Sequence, residues 1–269
     1  MQHQDIGELT GPVVLFGGPY SNLHATKAVL DRARILGATS VCTGDVVAYC
    51  ARPVETVAAI RAAGCHVVAG NCEIQLAQGA SDCGCGFEDG SACDILSVGW
   101  YGFAAAQVDQ NDRSWMGTLP DVISFTHAGK RHAAIHGGVS DVARFLWSTS
   151  PDTSFEEEWD ALESHIGPVT TVWAGHCGIP FERDLKRGRW VNAGVVGMPP
   201  HDGKSQTRYA VLDKGQVQIC VLDYNAAGAR DDMRAAGLSS GYDTALTKGY
   251  WPSEDILPQD LRVSDLLRG

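Results

Sequence analysis

The sequence predicts an α/β fold, α+β by some schemes, containing one parallel sheet and a second, largely antiparallel one. Three observations carry this. Residues 13–36 read as buried strand, glycine loop and helix, and residues 40–69 repeat the pattern and close on a further strand; βα units in series imply a parallel sheet. Residues 122–126 and 131–135, separated by a glycine turn, read as a hairpin. Short strand signals then crowd residues 181–224.

Residues 13–16 form an all-apolar run that Gly17-Gly18-Pro19-Tyr20 interrupts, before Ser21 or Asn22 caps a helix reaching about Leu36. A strand over 40–43 precedes a loop holding Asp45, a helix over 53–63 with Pro53 in its first turn, and a strand over 66–69. A helical turn near 74–78 leads into the glycine- and cysteine-rich insertion 81–93. Asp94 caps a helix over 95–107, and a shorter helix occupies 113–117. After the hairpin, 140–147 and 155–166 read as amphipathic helices and 169–174 as a buried strand. Strands over 181–185, 189–192 and 209–224, the last folded at Lys214-Gly215, are expected to build the second sheet. A helix over 225–236 and an irregular tail with a short helix at its end complete the chain.

The 269 residues are 44% hydrophobic, enough for one large core, so residues 1–269 are expected to form one domain. The core spans about 12–222, with a helix and tail over 225–269. Lys plus Arg number 21 against 32 Asp plus Glu, a net charge of −11. That disfavours nucleic acid and anionic membranes, which need a basic face. A small anionic molecule is the expected partner, with homo-oligomerisation an open option. No apolar run near the start reaches the length of a signal peptide or membrane span, which makes the cytoplasm the expected location. Nine cysteines point to thiols or metal ligands over a secreted disulfide framework.

Four strand ends run into small residues beside a metal-ligating side chain: Gly44-Asp45, Gly70-Asn71-Cys72-Glu73, Ile135-His136-Gly137 and Gly175-His176-Cys177-Gly178. Each alone is weak, since an Asp after a strand is commonly a turn former. Together, in this order, they resemble the loops of the calcineurin-like metallophosphoesterases, especially the YfcE-like branch, and Asn192 to Gly197 resembles that family's asparagine–glycine loop. The resemblance covers about residues 12–222 and implies a four-layer α/β/β/α sandwich of two mixed sheets. It also implies metal ligation by Asp45, Asn71, His136 and His176.

The departures concern one metal position. Gly18 and Tyr20 stand where the family's first motif carries Asp and His, and Gly178 stands where the last motif carries its second His. The four retained ligands belong to the other position, so the resemblance implies one divalent or trivalent ion (Mn, Fe, Zn or Ni, which suit a mixed oxygen and nitrogen set). A single ion can act as a Lewis acid but cannot clamp attacking and leaving oxygens as a pair does. Cys72 holds the slot of the family's catalytic His. Tyr20 is read as a hydrogen-bond donor or phenolate ligand at the centre, with core packing the competing role. The loop Gly17, Gly18, Ser21, Asn22 is a candidate anion cradle of backbone N–H groups, or simply a tight turn.

Cys83, Cys85 and Cys93, spaced C-x-C-x7-C, are read as a second metal site holding Zn, a redox site, or free thiols. Three functions are therefore carried forward. The leading one is a metal-dependent hydrolase with a single-metal centre acting on a small phosphorylated or anionic substrate. The others are a non-catalytic metal- or anion-binding sensor, and a thiol- or metal-handling enzyme using the cysteine loop.

Overall fold

In the computed structural model, which describes residues 1–263, two mixed sheets pack face to face between helical layers. The five-stranded sheet is built from β2 (Val13–Phe16), β3 (Thr39–Cys42), β4 (His66–Val67), β10 (Thr207–Asp213) and β11 (Gln216–Leu222), in the order β11-β10-β2-β3-β4. The six-stranded sheet comprises β1 (His3–Glu8), β5 (Val122–His127), β6 (Lys130–Ala134), β7 (Thr171–Ala174), β8 (Phe181–Leu185) and β9 (Gly188–Asn192), ordered β1-β5-β6-β7-β9-β8.

Every residue of β2 is buried, and alternation decides which layer each side chain joins. Val13 and Leu15 point into the inter-sheet core with Val41, Phe125, Trp173 and Val191. Val14 and Phe16 point outward and are covered by α1 (Leu23–Leu36), α2 (Pro53–Ala62), α3 (Asn71–Gln78), α4 (Ala92–Gln107), α7 (Ala226–Ala235) and α8 (Tyr242–Lys248). On the far side α6 (Asp152–Ile166) lays Phe155, Trp159, Leu162 and Ile166 over the six-stranded sheet. This is the four-layer α/β/β/α sandwich.

Register positions the site. β2, β3 and β4 are parallel, with Phe16 opposite Cys42 and Cys42 opposite Val67. In the other sheet β6, β7 and β9 are parallel, with Ala134 opposite Trp173 and Ala174 opposite Asn192. The C-terminal ends of each trio lie level, and a parallel bridge between Gly17 and Val195 ties the two sheets together there. The loops after β3, β4, β6 and β7 therefore meet, as ligand loops do in open α/β sheets.

Five expectations are corrected. The second sheet is mixed and not largely antiparallel, since β1–β5, β6–β7 and β7–β9 pair in parallel. The hairpin β10–β11 pairs antiparallel with β2 and completes the first sheet instead of the second. The strand β1 was unexpected, because its residues are mostly exposed and lack alternation; it is an edge strand parallel to β5. Residues 140–147 are not helical. Their N–H groups and those just before are taken by side chains: Val139 and Ser140 donate to Glu158 Oε2 at 2.5 and 2.9 Å, and Ala143 donates to Asp141 Oδ1 at 2.9 Å. The tail holds α8 and a 3-10 turn, Gln259–Leu261; the short helix expected at its end falls outside the described residues.

Candidate metal centre

Asp45 sits three residues past β3 with φ 55°, and His176 two past β7 with φ 52°. Both occupy the left-handed region, a conformation that costs a non-glycine residue about 1–3 kcal/mol and persists only where the surroundings enforce it. Gly44 and Gly70 enable the close approach. A Cβ on Gly44 would lie 2.7 Å from Gly70 N and 2.8 Å from His136 Nδ1, and one on Gly70 would lie 2.4 Å from Asp45 Oδ1.

The structure brings the four predicted ligands together. His136 Nδ1 donates to the Thr43 carbonyl at 2.6 Å, which turns Nε2 toward the other three ligand candidates, to take a metal ion or a proton. Around that Nε2 lie Asn71 Oδ1 at 3.0 Å, His176 Nδ1 at 3.0 Å and Asp45 Oδ2 at 3.4 Å. Asn71 is oriented by its own amide, which donates to the Cys83 carbonyl at 2.9 Å and so turns its oxygen inward. The candidate ligand atoms of Asp45, His136 and His176 all lie within 4.8 Å of one another, and all three residues are buried. Lone pairs crowded like this repel unless a cation sits among them, so the donor set fits a divalent ion.

Electrostatics agree. Burial by itself would raise the Asp45 carboxyl, but the facing His136 and His176 rings more than offset it, leaving it below the usual carboxylate range. Burial opposes charge on His136 too, and the Asp45 carboxylate outweighs this and raises it. His176 is pushed down to about 3 by burial and by His136, so it presents a neutral ring.

Glu73, to which the sequence assigned no role, holds the Asp45 loop. Its Oε2 accepts from Asp45 N at 2.7 Å and Gly70 N at 3.0 Å, and its Oε1 from Val46 N at 2.8 Å and Val47 N at 3.4 Å. Burial, reinforced by Asp45, pushes this carboxyl up to about 7 against the pull of those donors. Its place three residues into α3, directly after Asn71-Cys72, is a capping-box position readable in sequence.

Other predicted residues have different parts. The anion cradle is corrected: Gly17 N donates to Gly194 O, Gly18 N to Gly44 O, Tyr20 N to Asp45 O and Ser21 N to Val46 O, all at 2.9–3.1 Å. Ser21 Oγ accepts from Ala48 N, and Asn22 caps α1 through Ala25 N while its amide donates to Gly197 O. These residues bind neighbouring loops, and their backbone donors are spent. Cys72 packs in the helix-side core and is absent from the cavity wall; burial raises its thiol, and its N–H donates to Asp45 Oδ1 at 3.2 Å. It positions Asp45. The zinc reading of the cysteine loop is also corrected, because Cys83 and Cys85 are joined in a disulfide and cannot serve as thiolate ligands.

Tyr20 does line the cavity beside Asp45 and His176. A Cβ on Gly18 would fall 2.6 Å from Tyr20 Cζ, so the tyrosine ring fills the space a side chain at position 18 would need. Burial, then Asp45, raises the phenol well above its ordinary value, so in the metal-free protein it is a neutral hydroxyl. Beyond Gly178 lies the Trp251 ring, 3.5 Å from the position of a Cβ there.

No family model matches the chain. An uncharacterized protein of Methanocaldococcus jannaschii is 26% identical over 235 residues, 80% of this chain and 88% of that protein. Among solved structures, a metallophosphoesterase from Sphaerobacter thermophilus superposes with a TM-score of 0.69 at 19% identity, covering 90% of this chain and all of its own. The chain has the metallophosphoesterase fold. A hypothetical protein from Pyrococcus horikoshii shares it at a TM-score of 0.74 and 16% identity, over 88% of this chain and 98% of that one. Within the metallophosphoesterase fold, Asp45, Asn71, His136 and His176 occupy the loop ends where the sequence motifs placed them, and no helix among the described residues is long and apolar enough to cross a membrane.

Proposed function

We propose that this protein is a metal-dependent hydrolase of phosphoesterase type that works with one metal ion and acts in the cytoplasm on a small phosphorylated or otherwise anionic substrate. The observation that carries the reading is the convergence of Asn71 Oδ1, His176 Nδ1 and Asp45 Oδ2 on His136 Nε2 within 3.4 Å. Asp45, Asn71, His136 and His176 would hold the ion, Mn, Fe, Zn or Ni. When bound it supplies Lewis-acid polarisation of a substrate oxygen. The chain's own residues do the rest. Glu73 and the Cys72 N–H fix Asp45, the Thr43 carbonyl fixes the His136 tautomer, and Tyr20 presents a neutral hydroxyl donor at the cavity wall.

The single-ion count is supported by the ligand side chains missing at positions 18 and 178, where the neighbouring groups are the Tyr20 and Trp251 rings. Elemental analysis of protein purified without chelator should give one ion per chain, lost in His136→Ala and His176→Ala. The same samples should be screened with phosphomonoesters and phosphodiesters. Two ions per chain, or brisk turnover of generic aryl phosphates, would contradict the reading; one ion with no hydrolysis of any ester would favour a metal- or anion-binding sensor.

A further inference from the structure

The helix α4 is apolar on every side. Its inner face, with Trp100, Tyr101 and Ala104, is buried in the helix-side core. Its opposite face carries Ala92, Ile95, Val98, Gly99, Gly102 and Ala106, all exposed. Ile95 at 65% and Val98 at 72% are the most exposed large apolar side chains among the described residues. At 3.6 residues per turn the six fall within about 120° around the helix axis, so they form one stripe. A surface helix ordinarily turns a polar face to water, and one that is hydrophobic all round is enclosed. Asp94 is the only charged residue of α4, and its carboxylate accepts from Gly90 N at 2.9 Å. At the C-terminal end Phe103 carries the apolar surface into a groove of about 290 Å³ that Val54 of α2 and Ala235 of α7 also line.

Charge and shape select the occupant. The chain carries −11 and the stripe has neither Lys nor Arg, which sets an anionic membrane aside. Two copies of such a chain repel one another, so they can associate only through a face free of charge, and this face is free of it. The relief of the stripe also matches itself. A Cβ added to Gly99 or Gly102 would meet nothing within 4 Å, so both positions are open hollows beside the Ile95 and Val98 side chains. An antiparallel pair of α4 helices, with the two-fold axis between Val98 and Gly99, sets Ile95 over the partner's Gly102 and Val98 over the partner's Gly99. Each large side chain then meets a position that lacks one, as an isologous contact requires.

We propose that α4 is the interface of a homodimer, packed antiparallel through Ile95, Val98, Gly99 and Gly102. The proposal stands apart from the metal-centre reading, although Trp100 on the inner side of the same helix packs on Tyr49 of the cavity wall at 4.5 Å, so the partner braces the helix behind that wall. A stripe about 24 Å long and 10 Å wide covers a few hundred Å², the size at which an exposed apolar patch marks a contact surface. It is smaller than the roughly 800 Å² per partner of a standard interface, so the dimer is expected to be reversible, dissociating at micromolar concentrations.

Sedimentation velocity of the full chain over about 1 to 300 µM should show the mass rising from 28.7 kDa toward twice that value. Ile95→Glu and Gly102→Lys, both at exposed positions, should each weaken the dimer by about tenfold or more. An equimolar mixture of the two should associate more tightly than either alone, because the mixed dimer brings the introduced acid of one chain over the introduced amine of the other and keeps one native contact. Val221→Glu, at an exposed position of β11, should leave the dimer unchanged. A monomer at every concentration, a dimer that survives both α4 substitutions, equal sensitivity to Val221→Glu, or a mixture no tighter than its parts overturns the proposal. A monomer that floats with phosphatidylcholine vesicles overturns it in favour of a lipid surface.

Discussion

Replacing Glu73 by Gln tests whether the centre is built by the carboxylate that grips the Asp45 loop. The two glutamate oxygens each accept two backbone N–H groups, from Asp45 and Gly70 on one side and Val46 and Val47 on the other. A glutamine amide keeps one acceptor and turns an NH2 group toward the other pair, whichever way it flips. Two buried N–H groups are then left without an acceptor, at roughly 1–3 kcal/mol each, of which the longer 3.4 Å contact to Val47 contributes least. Because its pKa is raised to about 7, the ionised Glu73 itself costs the folded protein about 3 kcal/mol at pH 8, a cost that Gln removes, so the two effects offset one another in the stability of the metal-free protein measured by urea denaturation and the substitution is read in metal binding. Metal affinity should fall by about 10- to 100-fold, the usual cost of losing a group that orients a ligand. Glu73→Asp, too short to span both donor pairs, should behave similarly. Metal affinity unchanged in both variants would refute the argument.

Acid stability should depend on His132. Trp173 Nε1 donates to its Nδ1 at 3.2 Å, and burial with His127 nearby pushes the ring down to about 4. The unfolded chain protonates near 6.5 while the folded one resists, so stability is intact above 6.5 and is lost as pH falls from there to about 4. The loss reaches about 3 kcal/mol. Between pH 7 and pH 4.5 the change in stability measured by chemical denaturation should be less unfavourable in His132→Phe than in the wild type by about 2–3 kcal/mol, since His176 and Glu73 titrate alike in both; equal changes would exclude His132 as a contributor. The disulfide is checked by alkylating the denatured, unreduced protein and mapping peptides. Cys83 and Cys85 should remain unmodified until a reductant is added, whereas Cys42, Cys72 and Cys177 react at once. Ready alkylation of Cys83 and Cys85 without reductant would count against the pairing.

The sequence by itself determined most elements, and the family resemblance of its loops pointed to the four metal-ligating candidates. Both signals are local: the 13–16 strand is an unbroken apolar run, and each candidate loop follows a strand end beside a small residue. Asn22, Pro53 and the Ala128-Gly129 turn mark boundaries through their own backbone chemistry. The tertiary structure decided what depends on partners distant in the chain. Residues 209–224 read as a hairpin of the second sheet, and pairing with β2 places it in the first instead. Residues 140–147 have helical spacing, yet Glu158, on another element, claims N–H groups at the start of that loop. The glycine loop at 17–22 has the composition of an anion cradle, but its N–H groups are consumed by carbonyls of loops 44–46 and 194 and by Pro19. The loss of side chains at positions 18 and 178 was visible in sequence; that the rings of Tyr20 and Trp251 adjoin those positions was not, because ring placement is set by packing between loops about 70 to 180 residues apart.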